Sequence, residues 1–238
     1  MSKISNEVDP CLVELFGFPG SGKTSIARYA VQELRHNSSV LPFYYGKHGK
    51  LPFRTSHFPG ALALCLRVMR GALHGSHARE LTRMARAVDS LLILGRARLE
   101  LRGEPIVLFD QAVIQKLYLM RVQDQVTAEA IESALEVLEP ELSDFYVMVD
   151  TPPDVAAERF SSRNKRSSIR PFKRWSTEDV ASLYGRQQCV LQWMADWFER
   201  SEVITLIRLD GQLPIEENGQ LLAREIERLA TCHPNGSL

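Results

Sequence analysis

Cys11-Leu-Val-Glu-Leu-Phe-Gly17-Phe-Pro-Gly-Ser-Gly-Lys23-Thr24, continuing as Ser25-Ile-Ala-Arg-Tyr-Ala-Val-Gln-Glu-Leu-Arg35, is the stretch from which the architecture of the chain can be read. Cys11 to Phe16 is a short apolar run closed by glycine. From Gly22 to Arg35 the apolar residues Ile26, Ala27, Ala30, Val31 and Leu34 recur at helical spacing. The stretch predicts a strand, a tight turn and a helix. Between strand and helix, Gly17 to Thr24 fits GxxxxGK[ST] at every fixed position. Glycines let consecutive backbone N–H groups turn inward around phosphate oxygens, and the following helix presents its positive end to them. In such a loop Lys23 reaches the β- and γ-phosphates and the Thr24 hydroxyl binds Mg²⁺. Gly17, Pro19, Gly20, Ser21, Gly22, Lys23, Thr24 and Ser25 are therefore the candidate nucleotide-binding residues.

Beyond this stretch, Val40 to Tyr45 reads as a second strand, and Gly46 to Pro52 as a loop. Pro59 to Leu73 and Arg79 to Leu101 carry apolar residues at helical spacing, interleaved with arginines. Gly103, Glu104 and Pro105 then break the pattern before Ile106 to Phe109, a buried strand with Asp110 at its carboxyl end. Helical stretches near Ala112 to Val122 and Thr127 to Leu138 lead to a strand at Phe145 to Val149, again ending in an acid, Asp150. Pro153 opens a helix running toward Arg163. Ser161 to Lys173, rich in arginine and lysine, reads as a solvated loop. Ser176 to Arg200 reads as a helix capped by Ser176 or Thr177, Val203 to Leu209 as the last strand, and Leu221 to Leu229 as the last helix. Strands alternating with helices, several of them wholly apolar, predict an α/β domain whose mainly parallel sheet is covered on both faces.

Bulk composition narrows the function classes. With 238 residues, 45% of them hydrophobic, the chain is long enough for one large core. Lys plus Arg and Asp plus Glu both total 29, so no global field draws it to nucleic-acid polymers or anionic membranes. The four cysteines are scattered without a CxxC pair, which argues against a disulfide framework or zinc site and suits reduced thiols in the cytoplasm. His74 and His77 have no acidic or cysteine partner nearby and read as surface histidines. No stretch approaches the length of an apolar membrane span.

The chain resembles the nucleoside and nucleotide kinases of the thymidylate kinase-like and deoxynucleoside kinase-like branch. The resemblance is carried by Gly17 to Thr24, by Ile106-Val-Leu-Phe-Asp110, by Phe145 through Arg159, by the arginine-rich Arg159 to Arg170, and by Ile207-Arg-Leu-Asp210-Gly211. It implies a three-layer P-loop NTPase fold over residues 1–238, with a five-stranded parallel sheet flanked by helices. It also implies an acceptor region at 46–102 and a lid at 159–175 that closes over ATP to exclude water.

By the same resemblance Asp110 orients Mg²⁺-bound water or accepts a proton from an attacking hydroxyl. Arg159, Arg163, Arg166 and Arg170 resemble lid arginines; Arg163 and Arg166 are the stronger candidates and Lys165 is a substitute. Asp210 and Gly211 resemble the turn beside the adenine. Lys47, His48, Lys50, Arg54, Arg67 and Arg70 fall in the neighbourhood that faces the acceptor, and Phe53, Phe58, Tyr44 and Tyr45 either stack on a base there or fill core. The family follows its strand-end acid with arginine, whereas Gln111 follows Asp110 here. Glutamine cannot supply the charge that holds an acceptor phosphate bidentately, which weakens the case for a monophosphate acceptor.

The expectation is an ATP- and Mg²⁺-dependent kinase acting on a small-molecule acceptor, a nucleoside or nucleotide in the first instance. The alternatives are a sugar, antibiotic or other metabolite acceptor, or an ATP-binding regulatory protein without turnover. Asn164-Lys165-Arg166-Ser167 lacks the aspartate of the guanine-binding NKxD signature, and no LSGGQ transporter signature occurs. A homodimer paired through helices is implied by resemblance alone.

Overall fold

The structure is a computed structural model that describes residues 10–37, 43–45, 101, 106–122, 128–139, 142–164 and 175–232. Strand β1 (Cys11–Phe16) is buried at every position and leads through the glycine turn into α1 (Lys23–Asn37). The remaining elements are β2 (Phe43–Tyr45), β3 (Ile106–Phe109), α2 (Val113–Val122), α3 (Ala128–Leu138), β4 (Phe145–Asp150), α4 (Pro153–Asn164), α5 (Thr177–Arg200), β5 (Thr205–Asp210) and α6 (Ile215–Cys232). They form the expected five-stranded sheet, in the order β2-β3-β1-β4-β5. Every pairing is parallel.

The alternation of β1 divides the core into two layers. Leu12 and Phe16 join the apolar residues of α2, α3, α4 and α5 on one face. Cys11, Val13 and Leu15 join those of α1 and α6 on the other. The first layer is anchored by aromatics, with Tyr146 of β4 stacked on Phe198 of α5 at 4.1 Å between ring centres. Helix α5 begins with a capping box: Ser176 is the N-cap, its hydroxyl accepts from the Asp179 N–H, and the Asp179 carboxylate accepts from the Ser176 N–H.

Several boundaries differ from those the sequence pattern predicts. Helix α6 starts at Ile215, well before Leu221. Asn218 and Gly219 lie in its first turns, where the Asn218 side chain donates to the Asp210 carbonyl at 2.7 Å and so ties the helix start to β5. Gly219 lets α6 approach α1, since a Cβ there would lie 2.5 Å from the Tyr29 ring. Strand β5 starts at Thr205, because the N–H groups of Val203 and Ile204 turn back to the Ser201 hydroxyl. Helix α4 runs on to Asn164, so Ser161 to Asn164 are helical although their composition predicts a loop. Only Phe43 to Tyr45 of the second expected strand is described. Pro59 to Leu73 and residues 79–100 of the next expected helix lie outside the described residues; Leu101 is described, buried and not helical. Neither Cys11 nor Cys189 is in a disulfide, while Cys65 and the side chain of Cys232 lie outside the described residues. No described helix is long and apolar enough to cross a membrane.

One charged residue sits inside the first layer. Glu14, on the same face of β1 as Leu12 and Phe16, is 0% exposed. Its Oε1 accepts the N–H groups of Ala112, Ile114 and Gln115 at 3.0, 2.9 and 3.2 Å, capping α2 from a strand about a hundred residues away. Its Oε2 has no partner. Burial pushes its pKa from 4.5 to about 7, against the lowering effect of the backbone N–H groups. Tyr146, its register neighbour on β4, has its hydroxyl pushed up chiefly by burial and next by Glu14 itself.

The folded state thus holds the Glu14 proton more tightly than the unfolded chain. Its contribution to stability is full below pH 4.5 and is lost as pH rises through about 7. A shift of that size corresponds to about 3 kcal/mol. Glu14→Gln keeps the Oε1 acceptor and has no proton to lose. Urea unfolding between pH 5 and 8 should show wild type weakening relative to this variant as pH rises; parallel curves would refute the assignment.

Candidate active site

The loop between β1 and α1 is bent by glycines where a side chain could not follow. Gly17, Gly20 and Gly22 adopt φ of 144°, 92° and 96°. A Cβ on Gly17 would lie 2.7 Å from the Val149 carbonyl oxygen of β4, so the loop entry is pressed against the neighbouring strand. Ser21 is buried and its N–H donates to the Phe18 carbonyl at 3.1 Å. Pro19 and Ser25 are half-buried, and the Ser25 N–H donates to the Gly22 carbonyl at 2.9 Å in the first turn of α1.

Lys23 lies at the centre of this loop. It is buried, and its Nζ donates to the carbonyls of Gly17 and Phe18 at 3.0 and 2.7 Å and to Ser21 Oγ at 3.3 Å. Burial pulls its pKa from 10.5 down to about 8, Asp110 opposes that shift and Arg163 adds to it. Both charges therefore lie near the ammonium. Arg163 is exposed in the last turn of α4.

Asp110 is delivered by the carboxyl end of β3, next to β1 in the sheet. It is 1% exposed and its Oδ2 accepts from Thr24 Oγ1 at 2.7 Å. Its Oδ1 is buried without a hydrogen-bond partner. A hydroxyl and a carboxylate held together, with one carboxylate oxygen uncommitted, are hard oxygen ligands of the kind Mg²⁺ takes alongside phosphate and water. Among the described residues no group of three or more His, Cys, Asp or Glu side chains forms a cage for a metal.

Among the other described candidates from the sequence, Arg159 has a partner other than a phosphate. Its guanidinium donates to the Gly211 carbonyl at 2.7 Å, which ties α4 to the turn after β5. That turn is fixed further: the Gly211 N–H donates to the Asp150 carbonyl, Asp210 Oδ1 accepts from the Gln212 N–H at 2.9 Å, and a side chain on Gly211 would collide with Thr151. Asp150 and Asp210 are register partners and line a cleft of about 500 Å³ together with Pro152, Arg208 and Gln212. Gln111 is exposed directly after Asp110. Lys47, His48, Lys50, Phe53, Arg54, Phe58, Arg67, Arg70, His74, His77, Lys165, Arg166 and Arg170 lie outside the described residues.

Two residues at the site, Gln115 and Glu14, carry no signature that sequence motifs reveal. Gln115, 2% exposed on α2, accepts the Gly17 N–H on its Oε1 at 3.2 Å. Glu14 holds the start of the same helix. Tyr44 of β2, already a candidate from the sequence, lies beside Asp110 and Arg28, and burial followed by the Asp110 charge pushes the pKa of its hydroxyl up. A lone carboxylate in an otherwise apolar central strand is the one signal for Glu14, because a buried charge requires partners.

No family model matches the chain, and no curated protein matches it in sequence. Among solved structures, the chain is similar to the deoxyadenosine kinase from M. mycoides with bound dATP, at 14% identity and a TM-score of 0.50, over 91% of this chain and 99% of that one. The same enzyme with bound dCTP superposes at 12% identity and a TM-score of 0.48, over 91% and 99% of the two chains. The likeness establishes the fold: an α/β fold with a parallel sheet flanked by helices, of the kind seen in that deoxyadenosine kinase.

Proposed function

We propose that the chain is a Mg²⁺- and ATP-dependent kinase that transfers the γ-phosphoryl group to a small-molecule acceptor, a nucleoside or nucleotide in the first instance. The observation that carries this reading is the junction of Thr24 and Asp110, hydrogen-bonded at 2.7 Å beside a loop that buries Lys23. The fold shared with a deoxyadenosine kinase supports the acceptor class.

Thr24 and Asp110 are the residues that would hold Mg²⁺, which supplies charge neutralisation on the β- and γ-phosphates. The loop N–H groups and the N-terminus of α1 orient the triphosphate. Lys23 carries its charge to the transferred group in a site with little water, where a fixed charge stabilises a transition state most strongly. Arg163, near Lys23, adds a second cation, and Arg166 is proposed as a third. Arg159 positions the turn at Asp210 and Gly211, whose backbone is proposed to lie beside the adenine. On the acceptor side Gln111, with Lys47, Arg54 and Arg70, is proposed to contact the acceptor, and Asp110 orients or deprotonates its hydroxyl.

Gln111 also favours a second reading, in which the acceptor carries no phosphate and is a sugar, antibiotic or other hydroxylated metabolite. ADP release, measured across nucleosides, nucleoside monophosphates, sugars and aminoglycosides, separates the two. Stimulation by nucleosides or their monophosphates supports the first reading, and stimulation by sugars or aminoglycosides supports the second. If no acceptor stimulates ADP formation although Mg·ATP binds, the kinase assignment fails in favour of a nucleotide-binding regulatory protein.

A further inference from the structure

We infer that Glu14 and Gln115 form a positioning pair that sets the phosphate loop and Asp110 at their working separation, a role that rests on the phosphate-binding reading above. The sheet alone does not do this. The pairing of β1 with β3 ends at Glu14 opposite Phe109; β3 then leaves the sheet as the turn at Asp110, while β1 runs on beside β4 to Phe16 before the loop at Gly17, so no ladder bond joins the two segments beyond Glu14. Side chains join them beyond that point. Glu14 Oε1 grips the first turn of α2 through three N–H groups, and Gln115 on that turn reaches back to the Gly17 N–H.

The result is a closed ring: Glu14, along β1 to Gly17, across to Gln115, and back through the start of α2. Glu14, Gln115 and Asp110 are each at most 2% exposed, so water cannot replace a lost partner. Gly17 cannot retreat, because it is backed by the Val149 carbonyl. The Thr24 to Asp110 hydrogen bond spans the two arms of this ring, with Thr24 carried by the loop and Asp110 by the segment that Glu14 holds. Freeing either arm alters the spacing of the two groups that face the nucleotide.

The test is equilibrium binding of a fluorescent Mg·ATP analogue to folded protein, with melting curves recorded in parallel. Gln115→Met removes the acceptor for the Gly17 N–H and should weaken binding about tenfold. Glu14→Gln keeps the acceptor and should bind within about twofold of wild type. The double variant Glu14→Met/Gln115→Met should bind no more weakly than the worse single variant, as expected for residues acting through one chain of contacts. Leu135→Ala, in the core of α3, controls for destabilisation and should leave affinity unchanged. Wild-type affinity in folded Gln115→Met, or additive losses in the double variant, would overturn the inference. Should Glu14→Met fail to fold, Gln115→Met against Leu135→Ala decides the matter alone. Failure of the wild type to bind Mg·ATP would overturn the underlying phosphate-site reading, a separate and recognisable result.

Discussion

Lys23→Met should lower the rate of phosphoryl transfer by about a thousandfold, the scale expected when a fixed charge is removed from the site of transition-state charge development. Methionine fills a similar volume and leaves the loop glycines untouched. Folding should survive, since burying the Lys23 ammonium is itself unfavourable, as its pKa of about 8 records. The carbonyls of Gly17 and Phe18 lose a donor, so the melting temperature should move by only a few degrees in either direction. Single-turnover rates with saturating acceptor check the first statement and differential scanning calorimetry the second. A large fall in both rate and melting temperature would assign Lys23 a structural role instead.

Asp110→Asn should cost a comparable factor, about a thousandfold, by a different route. The amide oxygen can still accept from Thr24 Oγ1, so the 2.7 Å contact and the local packing persist. The charge on the unpartnered side of the group is lost, and with it the attraction for a hard cation. The rate measured against Mg²⁺ concentration should therefore show a half-saturation point at least about tenfold higher than wild type. An unchanged Mg²⁺ dependence with a reduced rate would instead point to Asp110 as the base for the acceptor hydroxyl.

The parts of this molecule legible in its sequence are those whose cause is local. Cys11 to Phe16 and Ile106 to Phe109 have the same limits in sequence and structure, because each is an apolar run closed by a residue that ends it. The order of elements and the phosphate loop follow for the same reason, since glycine spacing fixes a backbone path within a few residues. Asp110 can be placed at a strand end from sequence, but its meeting with Thr24 needs β1 and β3 to be neighbours in the sheet. The sequence pattern starts helix α6 too late because Asn218 and Gly219 are poor helix formers; a hydrogen bond to β5 and close packing on Tyr29 override that preference. Arg159 matches a lid pattern, whereas its partner is a carbonyl 52 residues away. Gln115 and Glu14 are joined to their partners across about a hundred residues, and no periodicity records such a contact.

Whether Gly17 to Thr24 and Asp110 together transfer a phosphoryl group to a small acceptor is decided by the fate of the γ-phosphorus of ATP. ATP labelled at that atom is followed in the presence of a mixed pool of nucleosides, nucleoside monophosphates and hydroxylated metabolites, with products separated and identified by mass. The label should appear covalently on one class of acceptor with the wild type, and on none above background with Lys23→Met or Asp110→Asn. Label released only as inorganic phosphate, or transfer that persists undiminished in Lys23→Met, is incompatible with a kinase built on these residues.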